Sequence, residues 1–518
     1  MKKSTTVVLI ILLQGVLIAY HIYAVAGFAG RFIYPLDDAY IHLSMAKNFA
    51  EFHVWGITQY EFSSTTSSPL FTFLIAVLIK VFGNWEYIPL VANTIAGLLL
   101  IWISHNELKK FSTATYVIFL VAIVLLMPLH LMVMTGMEHV FHTLLMVLVL
   151  LGFKKYIENE TPRDFSNLAL LSILATGFRY ESLFFIFFIC VYLFFVKKAY
   201  FQSVALGLFA MTPVLIYGWI SVDQESFFLT NYLILKGNKN DGIVGFLTRV
   251  AGNAYRGISV LILILILIIQ IFIKSKNPKT LSEKISKNAF PMVVFCGFTV
   301  HLLFANFGWL IRYEAYLVVV ILLAIAPFAD DLFQKKMQNQ ILKFAMLVLL
   351  FITFSLWFVP MLKNQQTASK NIYDQQIQLS DFIHKYYRNA KVVANDIGAI
   401  TYYNNIHLLD TYGLGSIEVA KLRKEDHGKF TDNKKLQSYI YNTAKWQGYD
   451  VALVFDEWVR MPDYFTKVGT LTIQNNYMSG GTTVSFYSVK KKNKKKLRNQ
   501  LTAFSKDVPQ DVIINIIK

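Results

Sequence analysis

The sequence predicts a polytopic α-helical membrane protein with a small α/β domain at its C-terminal end. Of 518 residues, 55% are hydrophobic and only 16% charged, and apolar runs of spanning length recur as far as residue 361. From about residue 363 the composition turns mixed, with Asn, Gln, Asp and Lys between short apolar stretches, which marks a soluble domain over 363–489. A basic tail over 490–518 follows. The formal net charge of +17 is concentrated there and beside the spans, with Lys490 to Lys492, Lys494 to Lys496 and Arg498 supplying seven positives. This pattern reads as cytoplasmic loop charge and a solvated tail, so no nucleic-acid partner is expected. Cys190 and Cys296 sit inside apolar runs as small hydrophobes.

The first span covers residues 7–29. Ala24-Val25-Ala26 offers a signal-peptidase site, but the apolar run is longer than a signal core and many spans follow, so an uncleaved anchor is expected. Further segments run over 69–83, 87–104, 115–133, 139–153, 166–178, 181–196, 200–221, 257–273, 289–306, 313–328 and 341–361, giving about 11–12 crossings. Lys/Arg bias sets the orientation. Lys2-Lys3, Lys109-Lys110, Lys154-Lys155, Lys197-Lys198, the 274–287 loop with its five lysines, and Lys335-Lys336 are expected in the cytoplasm. The Asp37 loop, Glu138, Arg179, the 223–256 loop, Arg312 and the C-terminal domain then lie outside. One count fails, because two segments, 69–83 and 87–104, separate the outer Asp37 loop from Lys109-Lys110, where parity allows a single crossing. Either one segment is re-entrant or these lysines break the rule.

In the soluble part, residues 374–387 read as a helix, and Lys391 to Ala394 and Asp450 to Phe455 as buried strands. Val468 to Ile473 and Thr482 to Val489, joined through Ser479-Gly480-Gly481, predict an antiparallel pair. Asp396, Asp410 and Asp456 fall at turns or strand ends and are expected to serve structure.

The chemistry gathers at span ends. Asp37 and Asp38 are adjacent carboxylates beside lipid, where ionised groups must be solvated, paired or metal-bound. Behind them Ile41, Met45, Phe49 and Phe52 recur at helical spacing, predicting an amphipathic helix in the interface plane, which one of the two aspartates would cap. The hydroxyl-rich run from Ser63 to Ser68, with Thr66 and Ser67, supplies groups able to bond sugar or phosphate oxygens. Glu138 and His139, with His142 one turn on, form either a cation site or a hydrogen-bond network. Arg179 and Glu181 interrupt an apolar stretch and either pair together or receive an anionic headgroup. Arg312 and Tyr313 repeat that logic. Acid, hydroxyls and guanidinium groups on one membrane face suit transfer of a group from a lipid phosphate, with arginines stabilising the departing phosphate and the acid taking a proton from the acceptor. The chain has neither a P-loop nor a dinucleotide fingerprint, so no nucleotide cofactor is expected.

These motifs resemble the GT-C glycosyltransferases, which use polyprenyl-phosphate sugars. Leu36-Asp37-Asp38-Ala39-Tyr40-Ile41 is similar to the first outer loop of the arabinofuranosyltransferase-like branch, Thr66-Ser67-Ser68-Pro69-Leu70 to the opening of its second span, and Thr135-Gly136-Met137-Glu138 to a later acidic motif. Arg179-Tyr180-Glu181 resembles that branch's Arg-Pro-Glu with Tyr for Pro, and Arg312-Tyr313 its late Arg-Tyr. Asn395 to Tyr403 and Leu409 to Leu414 are similar to a segment that follows the membrane bundle. The resemblance implies a GT-C-like fold in a bacterial inner (plasma) membrane. It implies transfer from a polyprenyl-phosphate sugar to a glycan, lipid or protein acceptor at the outer face, inverting, with Asp37 or Asp38 as base. Thr66, Ser67, Glu138, His139, Arg179, Glu181, Arg312 and Tyr313 would then bind substrate. Some relatives hold a divalent cation, Mg2+ or Mn2+, at the acidic loop, for which Asp37, Asp38 and Glu138 would be the ligands. A lipid-linked saccharide flippase or a noncatalytic envelope-assembly protein are the alternatives. A transporter carries its polar groups near the bilayer midplane, whereas these collect near span ends.

Overall fold

The computed structural model describes residues 2–237, 242–275, 280–334, 339–425 and 433–517. Lys335-Lys336 and part of the 274–287 and 223–256 loops lie outside the described residues. The chain forms two compact units, one of Met1–Tyr20, Leu90–Ile216 and Asp241–Lys363, the other of His21–Pro89, Tyr217–Asn240 and Asn364–Lys518.

Every predicted apolar segment is helical. Among the described residues seven helices are long and apolar enough to cross a membrane, or eight if the bent pair Gly242–Arg256 and Ile258–Lys274, which turns by 84°, counts as one span. Three apolar helices, Pro69–Phe82, Ser182–Phe195 and Ala289–Phe304, are shorter. This is a multi-pass membrane protein, with fewer full-length crossings than apolar runs because several runs stop short of the roughly 20 residues a bilayer requires.

In the first unit Ala315–Phe333 is apolar on all sides and buried nearly throughout, the pattern of a central helix. Close approach around it uses glycine: a Cβ on Gly297 would lie 2.6 Å from the Phe185 ring. The lysine pairs assemble at one end. Lys3 Nζ donates to Lys109 O (2.8 Å), Lys154 Nζ lies 3.0 Å from Glu107, which also pairs with Lys110, and Lys197 Nζ lies 2.6 Å from Glu160. Lys109-Lys110 therefore shares an end with Lys2-Lys3, as the charge rule expects. The parity conflict falls instead on Pro69–Phe82. Its 14 residues reach about 21 Å, short of a core of about 30 Å.

The second unit is built on a mixed six-stranded sheet, order β2-β1-β3-β5-β4-β6, with β1 Lys391–Ala394, β2 His407–Asp410, β3 Val451–Val454, β4 Thr466–Thr472, β5 Thr483–Ser488 and β6 Ile513–Ile516. β1 pairs in parallel with β2 and β3, whereas β3–β5, β5–β4 and β4–β6 are antiparallel. Alternation along β1 sends Val392 and Ala394 into one core with Phe382, Leu453 and Phe486, and Val393 into another with Ala452, Leu436 and Ile440. Residues 490–517, part of the expected basic tail, are folded here. Lys494–Phe504 is a helix whose Leu497, Leu501 and Phe504 are buried in the first core, and β6 extends the sheet. Its apolar spacing of four and three residues is hidden in the sequence by the surrounding lysines.

Candidate active site

Asp37 opens the helix Asp37–Phe52, whose N-cap is Leu36, so neither aspartate caps its own helix. Asp37 reaches across the sequence instead. Its two carboxylate oxygens accept hydrogen bonds from the backbone N–H groups of Gly398 (2.6 Å) and Ala399 (2.8 Å) at the start of the short helix Gly398–Tyr402. Glycine at 398 is required, since a Cβ there would lie 2.2 Å from Asp37 O. Asp37 is 8% exposed, and burial together with the neighbouring Asp396 carboxyl pushes it well above the usual carboxylate range. Burial raises Asp396 too, and Gln376 Nε2 donates to its Oδ2 (2.6 Å). Burial at this pair therefore favours the protonated form of both carboxyls.

Asp38 is different. It is 23% exposed, with Lys236 Nζ 3.5 Å from its Oδ1. Thr230 caps the helix Asn231–Lys236, and Asn231 is pinned by its N–H to Ser64 O (2.8 Å) and by its side chain to Leu414 O (2.9 Å). Nothing in the spacing of the 223–256 loop announces Lys236 as a partner of Asp38, and sequence reasoning missed it.

The helix Asp37–Phe52 does not present a wet face. Ala39, His42, Ser44, Ala46 and Lys47 are buried along with Ile41 and Met45, because Pro69–Phe82 and Gly398–Tyr402 pack on it. The hydroxyl run is consumed in this packing. Thr66 Oγ1 lies 2.8 Å from Thr72 Oγ1 and 3.3 Å from His42 Nδ1, and Ser64 Oγ lies 3.0 Å from the Tyr217 hydroxyl. Ser67, 3.3 Å from His42 Nε2, is only partly buried. Thus Thr66 braces His42, one turn beyond Asp38, while Ser67 keeps an open side.

The other six predicted residues meet in the first unit. Gly136, at φ +69°, turns the chain within Thr135-Gly136-Met137-Glu138, and Asn93 Nδ2 holds the turn through Met137 O (3.0 Å). Glu138 thereby precedes the helix His139–Asn159, which sets it about 24 Å from Lys154 at the lysine end. Arg179 occupies the extended link between helices Pro162–Phe178 and Ser182–Phe195. Its Nη1 donates to Glu138 Oε1 (2.6 Å) and to His139 Nε2 (3.4 Å), while Nε and Nη2 grip Glu181. The expected pairing of Arg179 with Glu181 therefore forms, and Glu138, which the sequence did not announce as a partner, takes another face of the guanidinium. Tyr313 stands between the two guanidinium groups, its ring centroid 5.5 Å from Arg179 and 4.9 Å from Arg312. Arg312 Nη2 donates to the Tyr313 hydroxyl (3.0 Å). It follows Trp309, Leu310 and Ile311, three successive residues in the left-handed region, a costly backbone that aims it. His142 Nε2 meets Ser182 Oγ (3.0 Å), whereas Glu138 and His139 are bridged by Arg179.

A cation does not fit these donors. Asp37 has both oxygens on backbone N–H groups and Glu138 is bonded to Arg179. Among the described residues no group of three or more His, Cys, Asp and Glu side chains is arranged to hold a metal ion. The remaining acids serve local structure. Asp410 accepts from Tyr412 N (2.7 Å) and Gly415 N (2.8 Å), with burial pushing it up to about 6, and Asp456 ties β4 to β5.

Comparison with solved structures gives ArnT from Cupriavidus metallidurans bound to undecaprenyl phosphate, at 10% identity and a TM-score of 0.52 over 93% of this chain and 98% of that one. Looser superpositions are found with the arabinofuranosyltransferase AftD from Mycobacteria (10% identity, TM-score 0.42, 92% and 40% of the two chains) and the oligosaccharyltransferase AglB from Archaeoglobus fulgidus (12%, 0.40, 97% and 75%). No curated protein sequence matches the chain. The fold is that of the ArnT structure, in keeping with the GT-C-like fold that the motifs implied. Residues 370–487 match a domain of unknown function, DUF8728. Residues 44–369 match the model of the EpsG family, and the chain belongs to that family.

Proposed function

We propose that this protein transfers a sugar from a polyprenyl-phosphate donor to an envelope glycan, lipid or protein acceptor at the outer face of the bacterial inner (plasma) membrane, with inversion at the anomeric carbon. The observation that supports the reading is the division of labour between the two aspartates: the Asp37 carboxyl is buried on two N–H groups, and Asp38 is partly exposed with Lys236 3.5 Å away. Asp38 takes the proton of the acceptor hydroxyl as its oxygen bonds to the anomeric carbon. The bond from that carbon to the phosphate oxygen breaks, and polyprenyl phosphate leaves with the electron pair. Asp37 positions this carboxylate.

Guanidinium groups stabilise the departing phosphate. Within the first unit, Arg312 is the guanidinium proposed to meet a lipid phosphate, while Arg179, gripped by Glu138 and Glu181, fixes Tyr313 and the helix ends. The ArnT structure, bound to undecaprenyl phosphate, supports a lipid-phosphate donor. The lysine-rich end of the first unit supports the orientation, since positive charge favours the cytoplasm and Glu138, Arg179 and Arg312 lie at the opposite end.

The test is reconstitution in nanodiscs with a panel of polyprenyl-phosphate sugars, measuring release of polyprenyl phosphate. It is paired with mass spectrometry of envelope glycans from a strain lacking the protein. A lost glycan substituent with accumulated lipid-linked sugar supports transfer. A cytoplasmic backlog with no outer-leaflet lipid-linked sugar refutes it in favour of translocation.

A further inference from the structure

The sheet of the second unit carries a polar cavity that no step of the transfer uses. It has a volume of about 520 Å3, with Asp456, Arg460, Asp463 and Tyr487 on its walls and the buried Met461 and Phe465 beneath. That volume falls within the range of about 300–1,000 Å3 typical of small-molecule sites. Asp456 organises the wall. The Tyr487 hydroxyl donates to its Oδ1 (2.8 Å), and Lys467 Nζ (2.7 Å) and Ser485 Oγ (2.7 Å) donate to its Oδ2. Asp456 and Tyr487 are thereby held together at the cavity wall.

Charge narrows the ligand class. Asp456 and Asp463 are balanced by Lys467 and Arg460, the latter 3.8 Å from Asp463 and itself 63% exposed. An anion would need donors in excess and a cation acceptors in excess, and the wall offers neither. Arg460 brings a planar fork of donors, and the Tyr487 oxygen and the carboxylates accept. A mixed donor and acceptor surface around an aromatic ring matches groups that both give and receive hydrogen bonds, the hydroxyls of an uncharged sugar ring.

We propose that this cavity binds a neutral saccharide segment. It rests on the transfer reading only in taking that segment to belong to the acceptor or product glycan. Saturation-transfer difference NMR on the full chain in nanodiscs tests it, with chitotetraose, maltotetraose and mannotetraose as probes and inorganic phosphate as competitor. At least one tetrasaccharide binds the unmodified protein, and Arg460→Ala, at an exposed position that spares the fold, weakens it about tenfold or more. Asp456→Asn weakens it as well. Phosphate does not displace the sugar. Absence of binding by all three tetrasaccharides, equal binding to Arg460→Ala, or displacement by phosphate each overturns the proposal. Because binding is read without turnover, Asp38→Asn separates the two claims: it should still bind sugar, and if it also still transfers, the transfer reading fails while the cavity stands.

Discussion

Separating Asp37 from Asp38 is the sharpest experiment. Asp37→Ala removes the acceptor of two buried N–H groups, those of Gly398 and Ala399, bonded at 2.6 and 2.8 Å. Each orphaned donor costs about 1–3 kcal/mol, so the second unit should lose about 2–6 kcal/mol. Asp38→Asn removes a partly exposed carboxylate and should leave stability within about 0.5 kcal/mol. Loss of a general base slows turnover about 100- to 10,000-fold, equivalent to roughly 3–5 kcal/mol of barrier. Two readouts distinguish them. Hydrogen exchange over 398–402 should accelerate in Asp37→Ala and stay protected in Asp38→Asn. Release of polyprenyl phosphate, normalised to folded protein, should collapse in Asp38→Asn. Unchanged exchange in the former, or more than about a tenth of the turnover in the latter, would refute the assignment.

Arg179→Met strands the buried Glu138 and should destabilise the first unit by about 3–5 kcal/mol, with Glu138→Gln in the same chain restoring part of it; a thermal double-mutant cycle measures the coupling. Arg312→Lys should raise KM for the lipid phosphate severalfold with little loss of stability, read from initial rates at varied donor. The raised Asp37–Asp396 pair contributes stability that is present at low pH, below the ordinary carboxylate range, and is lost as pH rises through the raised value, where two buried charges must coexist. Asp396→Asn should therefore flatten the alkaline side of a thermal-stability profile, and an unaltered slope would contradict the raised pair. Leu501→Ala, at a fully buried position, should cost about 2–5 kcal/mol in the sheet domain by chemical denaturation, an effect absent if 490–518 were a solvated tail.

Much of this was legible in the chain. Each apolar run became a helix, and Val468 to Ile473 with Thr482 to Val489 became the paired β4 and β5, because burial and turn chemistry are local signals. The six polar residues from Glu138 to Tyr313 converge in one unit, as their position at span ends implied. What escaped was partnership. Asp37 bonds a backbone 361 positions away, and Lys236 meets Asp38 through a capped helical turn whose sequence has no periodicity to announce it. The helix Asp37–Phe52 has an interfacial pattern, yet other elements cover its polar side, which hydropathy along one segment cannot reveal. Leu497, Leu501 and Phe504 were outweighed by the lysines around them.

The bond between Asp37 and Gly398 also sets a schedule for biogenesis. At ~5–20 residues per second, the ribosome needs roughly 20–70 s to deliver the second partner after the first. Throughout that interval the early aspartate lacks its eventual backbone donors, and a nascent chain arrested before residue 398 never supplies them. Premature termination would thus leave a product with inserted helices but an unfinished acidic loop, marked for quality control by exposed polar groups that the complete polypeptide conceals.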